Sequence, residues 1–327
     1  MITNHVTKKN TKDREHIKSF LYEHDIEFDE NVEFSVVVKD NERIIATGSF
    51  DNYVIKCVCV DCDYQGYNLT NRIVSTLVAK LNERGIFDIF LYTKPDNRDI
   101  FLALGFFVVC ETDDVILLEN NKSSIKKYIE RLSKNKKEGS SAALVMNCNP
   151  FTNGHRYLVE KASKENEWVH LLMVEEDKSF FSTDERYELI KRGTKDLSNV
   201  SVYLGGRYII SSATFPSYFL KDSEKIVKAH ANLDLTIFGD IIAPTLGITK
   251  RYVGTEPTCM LTNAYNSIMR EILPKKGIEV IEINRLSAGD KAISASVVRR
   301  LLQDKNFTEM QNLIPPTTLS YLREKYE

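Results

Sequence analysis

The sequence predicts an α/β protein with two domains, an α+β domain followed by a domain built on a parallel sheet. The chain has 327 residues, of which 43% are hydrophobic, and this exceeds what one core usually holds. The first third is typical of short strands separated by Asp-Asn turns, whereas the last part is typical of strands that alternate with helices. We place the first domain at residues 1–120, a linker helix and loop at 121–140, and the second domain at 141–327.

Charge and hydropathy argue against two kinds of partner. The chain carries 44 basic and 46 acidic residues, a formal net charge of -2, so no overall field draws it to nucleic acid or to an anionic membrane. The N-terminus lacks a basic and then apolar leader, and no run of about 18 apolar residues is present. We therefore expect a folded cytoplasmic enzyme that binds neither nucleic acid nor membrane.

Six cysteines spread over a long chain indicate reduced thiols and not a disulfide framework. Cys57, Cys59 and Cys62 are close enough to raise the question of a metal site, but no fourth ligand follows at finger spacing. The segment Cys57-Val58-Cys59-Val60 also fits a buried strand. We favour the buried strand and predict no metal-ligating residues.

In the first domain, turn residues and apolar spacing predict an antiparallel meander and then a helix. The strands are expected at 33–38, 43–50 and 53–60, the helix at Leu69–Asn82 with Gly85 ending it. A strand at 86–92, a short helix from Pro95 to Leu104, and strands at 106–110 and 115–118 complete the domain. Apolar residues at helical spacing between Ile125 and Leu132 predict the linker helix.

Beyond residue 141 the expected elements are strands at 142–146, 169–174 and 200–204, with helices at 154–166 and 184–196 between them. Such alternation predicts a parallel sheet covered on both faces. Ligands of these sheets bind beyond the carboxyl ends of the strands. The residues that follow each strand are therefore the candidates for a site.

The first such segment is Asn147-Cys148-Asn149-Pro150-Phe151-Thr152-Asn153-Gly154-His155, which leads from a strand into a helix. A helix N-terminus offers unpaired N–H groups and a positive dipole to a phosphate, and Gly154 lets the backbone approach closely. His155 is then placed to donate to phosphate oxygens. Taken alone, the same residues also fit an ordinary turn with a histidine at a helix start.

Two further segments could serve the same anion. Ile293–Arg300 opens a helix that reaches Leu302, where Ser294 or Ser296 can cap the helix and Arg299 can aid anion binding. Ser182 and Glu185 form a predicted capping box, and Lys178 stands in the loop before it as a possible phosphate ligand. A purely structural serine cap and an exposed lysine are the ordinary alternatives.

These segments carry a resemblance to a superfamily. Thr152-Asn153-Gly154-His155 resembles the T/H-x-G-H signature of the adenylyl- and cytidylyl-transferases, and Ile293–Arg299 resembles their I-S-x-S-x-x-R signature. Lys178–Arg186 is similar to the phosphate-contacting loop of phosphopantetheine adenylyltransferases. The resemblance implies a Rossmann-like nucleotidyltransferase domain that uses ATP with Mg²⁺. It implies His155 and Lys178 as catalytic residues, and as ATP-binding residues Asn149, Thr152, Gly154, Ser294, Ser296 and Arg299.

Nearly the whole chain also resembles the citrate lyase ligases, which activate acetate. The matching segments are Tyr92–Pro95, Asn149–Val159, Tyr208–Ser211 with Ala213–Phe219, and Arg251–Pro257. The resemblance implies an acid-thiol ligase that forms acetyl-AMP from acetate and ATP and releases pyrophosphate. The acetyl group would then pass, with release of AMP, to the phosphoribosyl-dephospho-coenzyme A thiol of the citrate lyase acyl carrier subunit, which activates the lyase.

The first domain resembles the GNAT acetyltransferases at Asp63-Tyr64-Gln65-Gly66-Tyr67-Asn68-Leu69. Their R/Q-x-x-G-x-G/A motif presents backbone N–H groups to the coenzyme A pyrophosphate. Asn68 and Thr70 stand here where small residues belong and would crowd a pyrophosphate. The resemblance thus implies a GNAT-like domain that docks the carrier or binds its pantetheine arm without catalysing.

Two other functions fit the same motifs. One is an adenylyltransferase that makes a dinucleotide from ATP and a phosphorylated acceptor such as phosphopantetheine. The other is a nucleotide-sensing module that binds ATP without turnover. Only a ligase yields AMP together with a thioester, so an assay of products separates the three.

Overall fold

The computed structural model describes residues 1–175, 179–211, 215–220, 222–256, 259–288 and 291–327. These residues form two compact units, Met1–Lys127 with Pro216–Ala229, and Tyr128–Phe215 with His230–Glu327. The segment Pro216–Ala229, which lies inside the predicted second domain, thus groups with the first unit. Two hydrogen bonds join this segment to the rest of the first unit. Glu27 N–H donates to Tyr218 O at 2.8 Å, and Tyr218 Oη donates to Tyr92 O at 3.3 Å.

The first unit is an α+β fold with a seven-stranded sheet in the order β1-β2-β3-β4-β5-β7-β6. Its strands are β1 (Ile2–Thr7), β2 (Phe34–Asp40), β3 (Arg43–Asp51), β4 (Val54–Val60), β5 (Phe90–Thr93), β6 (Phe107–Glu111) and β7 (Ile116–Glu119). Its helices are α1 (Thr11–Glu23), α2 (Leu69–Glu83) and α3 (Arg98–Ala103). The predicted antiparallel meander β2-β3-β4 is confirmed. The strand predicted at 86–92 is wrong at its start, because Ile89 N–H bonds to the Asn120 side chain at 2.8 Å and the strand begins at Phe90.

Helix α2 covers the sheet of this unit, and its apolar positions form the buried stripe that the spacing predicted. Leu69, Ile73, Leu77 and Leu81 are all buried, and Gly85 follows the helix with a φ of 77°, a conformation that glycine adopts without strain. Cys57 and Cys59 are buried in β4, as the strand interpretation expected. Burial raises the pKa of both thiols to about 12, so both stay protonated at neutral pH.

The second unit is an α/β fold whose five-stranded sheet has the order β10-β9-β8-β11-β12. Its strands are β8 (Ser141–Met146), β9 (Trp168–Met173), β10 (Val200–Leu204), β11 (Ile248–Gly254) and β12 (Glu279–Ile283), and β13 (Ser287–Ala288) with β14 (Lys291–Ala292) forms a small ribbon. All neighbours in the five-stranded sheet are parallel. The predicted fold class, an α+β unit followed by a unit with a parallel sheet, is therefore confirmed.

The remaining helices are α4 (Ser124–Ser133), α5 (Asn153–Glu165), α6 (Thr183–Thr194), α7 (Ser223–Ile237), α8 (Ala243–Leu246), α9 (Met260–Ile272), α10 (Ala295–Gln303), α11 (Phe307–Met310) and α12 (Pro316–Tyr326). The predicted linker helix corresponds to α4. A cluster of buried apolar side chains packs α10 against α11 and α12, and it includes Val298, Phe307, Met310 and Leu322. No helix in the described ranges combines the length and the hydropathy needed to cross a membrane.

Candidate functional site

A cavity of ≈ 410 Å³ lies at the carboxyl edge of the sheet in the second unit. The chain leaves β8 through α5 toward β9 on one side, and leaves β11 toward β12 on the other. The crevice between the ends of β8 and β11 is therefore the switch point where such sheets bind ligands. The volume is in the range of small-molecule sites, roughly 300–1,000 Å³.

Two helix starts border this cavity. Thr152, Gly154 and His155 at the start of α5 line it, and so do Ser294 and Ser296 at the start of α10. A Cβ placed on Gly154 would stand 3.8 Å from both Cβ and O of Ile293, the residue that leads into α10. The two segments that the sequence singled out are thus in contact, and backbone N–H groups of two helices face one space.

His155 is held in one tautomer by the cap of its own helix. Thr152 Oγ1 accepts from His155 N at 3.3 Å, and Thr152 N–H donates to His155 Nδ1 at 3.0 Å. Because Nδ1 accepts, the ring proton belongs on Nε2. Burial, aided by the charge of Arg285, lowers the pKa of His155 to about 4. The ring is therefore neutral at pH 7, and its Nε2–H is a donor suited to a phosphate oxygen.

The predicted serine cap of α10 is wrong. Ser294 occupies the N-cap position, but its side chain makes no cap hydrogen bond. Its Oγ lies 2.7 Å from Oγ of Ser296 instead. The hydroxyls bond to each other because both project from the same turn into the cavity, so the N-cap side chain leaves the first N–H groups of α10 to a ligand.

Asn149 and Arg299 are not among the residues that line the cavity, but their hydrogen bonds connect the segments around it. Arg299 Nη1 donates to Asn149 O at 2.6 Å, and Asn149 Oδ1 accepts from Phe181 N at 3.1 Å. These bonds fix the segment after β8 against α10 and against the loop before α6. Contact of either side chain with ATP stays a prediction. Lys178 lies outside the described residues, so its predicted catalytic role stays a prediction as well.

Two features are visible in the described residues that follow Lys178 in the chain. The Ser182–Glu185 capping box of α6 is confirmed. Arg186, which is fully buried, donates through Nη1 to Asn147 O at 3.0 Å, to Asn147 Oδ1 at 2.6 Å and to Val174 O at 2.7 Å. Arg186 thus joins the ends of β8 and β9, a positioning role that sequence reasoning missed.

Three charged side chains of the cavity were also missed as site residues. Arg251 and Glu256 belong to a segment that resembles the ligase family, and this resemblance could have identified them as site residues. Arg285 follows a strand that was not predicted, so no pattern in the sequence pointed to it. Arg285 forms an ion pair with Glu256 and donates its backbone N–H to Thr255 Oγ1 at 3.1 Å. The Arg285 guanidinium brings positive charge to the cavity beside His155.

Two buried polar atoms of the lining have no hydrogen-bond partner among the described residues. Arg251 Nη1 is a donor, and Asn266 Oδ1 is an acceptor. The ribose and adenine of ATP offer donors that Asn266 Oδ1 can accept, and Arg251 Nη1 can donate to an anion, so the lining fits ATP together with a second, anionic substrate. The described lining supplies one carboxylate, Glu256, and this is paired with Arg285. The use of Mg²⁺ stays a prediction.

A second cavity, of ≈ 820 Å³, lies in the first unit. Strands β4 and β5 pair at Val54–Phe90 and Ile55–Leu91, and the cavity is lined by Leu91 and by residues of both strands beyond these pairs. The acetyltransferase-like turn contributes Gln65, Gly66, Asn68 and Thr70, and Asn68 has a φ of 59° at the start of α2. The segment that returns to this unit adds Tyr218 and Phe219.

Comparison with known proteins identifies the family of this chain. Residues 141–322 match the family model described as citrate lyase ligase C-terminal domain. The chain is 37% identical to citrate (pro-3S)-lyase ligase of Klebsiella pneumoniae over 96% of this chain and 94% of that protein. The enzyme of the same name from Escherichia coli K12 is 38% identical over 98% and 94% of the two chains, and that of Haemophilus influenzae is 40% identical over 94% of each. The chain therefore belongs to the citrate lyase ligase family.

Proposed function

We propose that this protein activates acetate with ATP and transfers the acetyl group to the prosthetic-group thiol of the citrate lyase acyl carrier subunit. Membership of the ligase family supports the reaction class. The observation that carries the proposal is the cavity in which the starts of α5 and α10 meet beside the neutral His155. A helix start favours a phosphate, and two of them with added cations favour a triphosphate.

In the first step, a carboxylate oxygen of acetate attacks the α-phosphorus of ATP. The bond from that phosphorus to the bridging oxygen breaks, and pyrophosphate leaves with the electron pair. His155 Nε2–H and the α5 start stabilise the charge that develops on the α-phosphate, and the α10 start with Arg285 holds the leaving pyrophosphate. Positioning and electrostatics suffice for this chemistry.

No nucleophilic side chain is required. Cys148 lies in the segment between β8 and α5, but it is 1% exposed, and burial raises the pKa of its thiol. It is therefore protonated and shielded from substrate. Mg²⁺, bound to the triphosphate, would screen its charge.

In the second step, the carrier thiol attacks the carbonyl carbon of acetyl-AMP. A carbon–sulfur bond forms, the bond from the carbonyl carbon to the phosphate oxygen breaks, AMP leaves, and the thiol proton passes to solvent. We propose that the cavity of the first unit binds the pantetheine arm of the phosphoribosyl-dephospho-coenzyme A group. Val60, which is partly exposed at the end of β4, lines that cavity. Val60→Glu should raise the KM for carrier and leave acetate-dependent ATP–pyrophosphate exchange unchanged.

The test of the function is an assay of products. With acetate, ATP and the deacetylated carrier, the protein should release pyrophosphate and AMP and form a thioester on the carrier. Exchange of labelled pyrophosphate into ATP should require acetate but not carrier. A dinucleotide formed from phosphopantetheine, or nucleotide binding without any exchange, would contradict the proposal.

A further inference from the structure

Arg251 is a buried cation with an unsatisfied donor. It lies on β11, is 4% exposed, and lines the cavity of the second unit. Its Nη1 has no hydrogen-bond partner, and no carboxylate within the described ranges forms an ion pair with it. Its guanidinium carbon stands 4.2 Å from the centre of the Phe238 ring, a contact that stabilises part of the charge.

The carboxylate whose charge acts on Arg251 is already engaged. Asp234 accepts from Ile210 N at 2.9 Å through Oδ1 and from Tyr265 Oη at 2.5 Å through Oδ2. A guanidinium does not give up its proton in proteins. An unpaired charge of this kind is unfavourable in a folded protein, and its natural partner is an anionic ligand.

The proposed reaction, on which this inference rests, brings two anions into the cavity. The triphosphate has the starts of α5 and α10, His155 and Arg285 to bind it. The carboxylate of the acid substrate has no other cation assigned to it. A guanidinium fork matches a carboxylate with two parallel hydrogen bonds. Met269, which is 1% exposed and lines the cavity, adds an apolar wall on α9 suited to a short alkyl group.

We propose that Arg251 binds the carboxylate of the acid substrate and orients it for attack on ATP. The residue would then be the specificity determinant for a monocarboxylate. The binding of the acid would also complete the hydrogen bonding of a side chain that is otherwise buried and unpaired.

The test compares Arg251→Met and Arg251→Lys with the full-length protein. Methionine keeps much of the volume but removes the charge, and lysine keeps the charge but loses the fork. In acetate-dependent ATP–pyrophosphate exchange, Arg251→Met should raise the KM for acetate by roughly 10²-fold or more, and Arg251→Lys by less. The dissociation constant for ATP alone, measured by calorimetry, should change by less than about twofold, well under the tenfold that 1.4 kcal/mol gives.

Arg270→Met is the matched control. Arg270 lies on α9 next to Met269, but its side chain is half-exposed and pairs with Glu282 at 2.7 Å. This variant should keep the wild-type KM for acetate. Arg251→Met should also keep or raise the melting temperature, because it removes an unpaired buried charge.

Two results would overturn the proposal. A weakened affinity for ATP with an unchanged KM for acetate would assign Arg251 to the nucleotide. A large drop in melting temperature for both Arg251 variants, but not for Arg270→Met, would assign it to the fold. If the wild-type exchange does not depend on acetate at all, the proposed function fails, and that outcome is read from the wild-type protein alone.

Discussion

The hydrogen bonds of His155 allow its structural and chemical roles to be separated by two substitutions. In His155→Asn, the amide oxygen stands near the place of Nδ1 and can still accept from Thr152 N–H, but no donor remains at the place of Nε2. In His155→Gln, the side chain at this third helical position can accept from Thr152 N–H through Oε1, as the Glu185 side chain does from Ser182 N–H in α6, and its amide N–H can reach toward the place of Nε2. The cap bond to be preserved in both variants is 3.0 Å long in the wild type.

The expected magnitudes differ between the two variants. Loss of one preorganised donor to a developing charge costs about 10²–10³-fold in rate. Loss of a helix cap costs about 1 kcal/mol of stability. His155→Asn should therefore lose about two to three orders of magnitude in rate with an unchanged melting temperature. His155→Gln should retain more activity than His155→Asn, also with an unchanged melting temperature.

The assay is acetate-dependent ATP–pyrophosphate exchange, followed by thermal unfolding of each variant. Ser182→Ala provides the control, because Ser182 Oγ accepts from Glu185 N at 3.3 Å, the same distance as in the cap of α5, and Ser182 does not line the cavity. It should lose about 1 kcal/mol of stability without losing exchange activity. Wild-type exchange by His155→Asn would refute the proposed donor. So would an inflection near pH 6.5 that disappears with the histidine, because the pKa of about 4 predicts a ring that is neutral above pH 5.

Three further predictions concern binding and stability. Gly154→Ala should fold normally, since the nearest atom to the added Cβ is 3.6 Å away, and its free energy of unfolding should rise by at most about 1 kcal/mol. Its affinity for ATP, measured by calorimetry, should fall by roughly tenfold or more, about 1.4 kcal/mol, because the added methyl group stands where the phosphates approach the helix. Arg186→Met should lower the free energy of unfolding, measured in urea, by about 3 kcal/mol or more, because three buried hydrogen bonds to Asn147 and Val174 are lost. An unchanged free energy of unfolding would contradict the positioning role of Arg186. Burial lowers the pKa values of His155 and His170 to about 4, so the unfolded chain binds more protons than the folded protein between pH 6.5 and 4. The stabilisation should be fully present above pH 6.5 and should fall on acidification by up to about 1.4 kcal/mol per pH unit for each histidine. Urea unfolding at pH 7 and pH 5 should show this loss, and the loss should be smaller in His155→Asn.

Features that depend on neighbours along the chain could be predicted from the amino-acid sequence. Strand–helix alternation gave the parallel sheet, and apolar spacing gave α2. The Ser182–Glu185 box and the placement of Gly154 and His155 in the first turn of α5 depend on residues at most three positions apart, so local rules were enough.

The distant residues that complete the cavity could be identified only from the folded second unit. Arg251 and Arg285 reach it because β11 and β12 lie beside β8 in the sheet, and no local pattern marks that neighbourhood. The failed cap at Ser294 is instead a local effect, because the hydroxyl has a second partner only two residues away, Ser296, at 2.7 Å. Strand order arises from packing of the whole unit, so the charge balance of the site could be assessed only once the sheet was assembled.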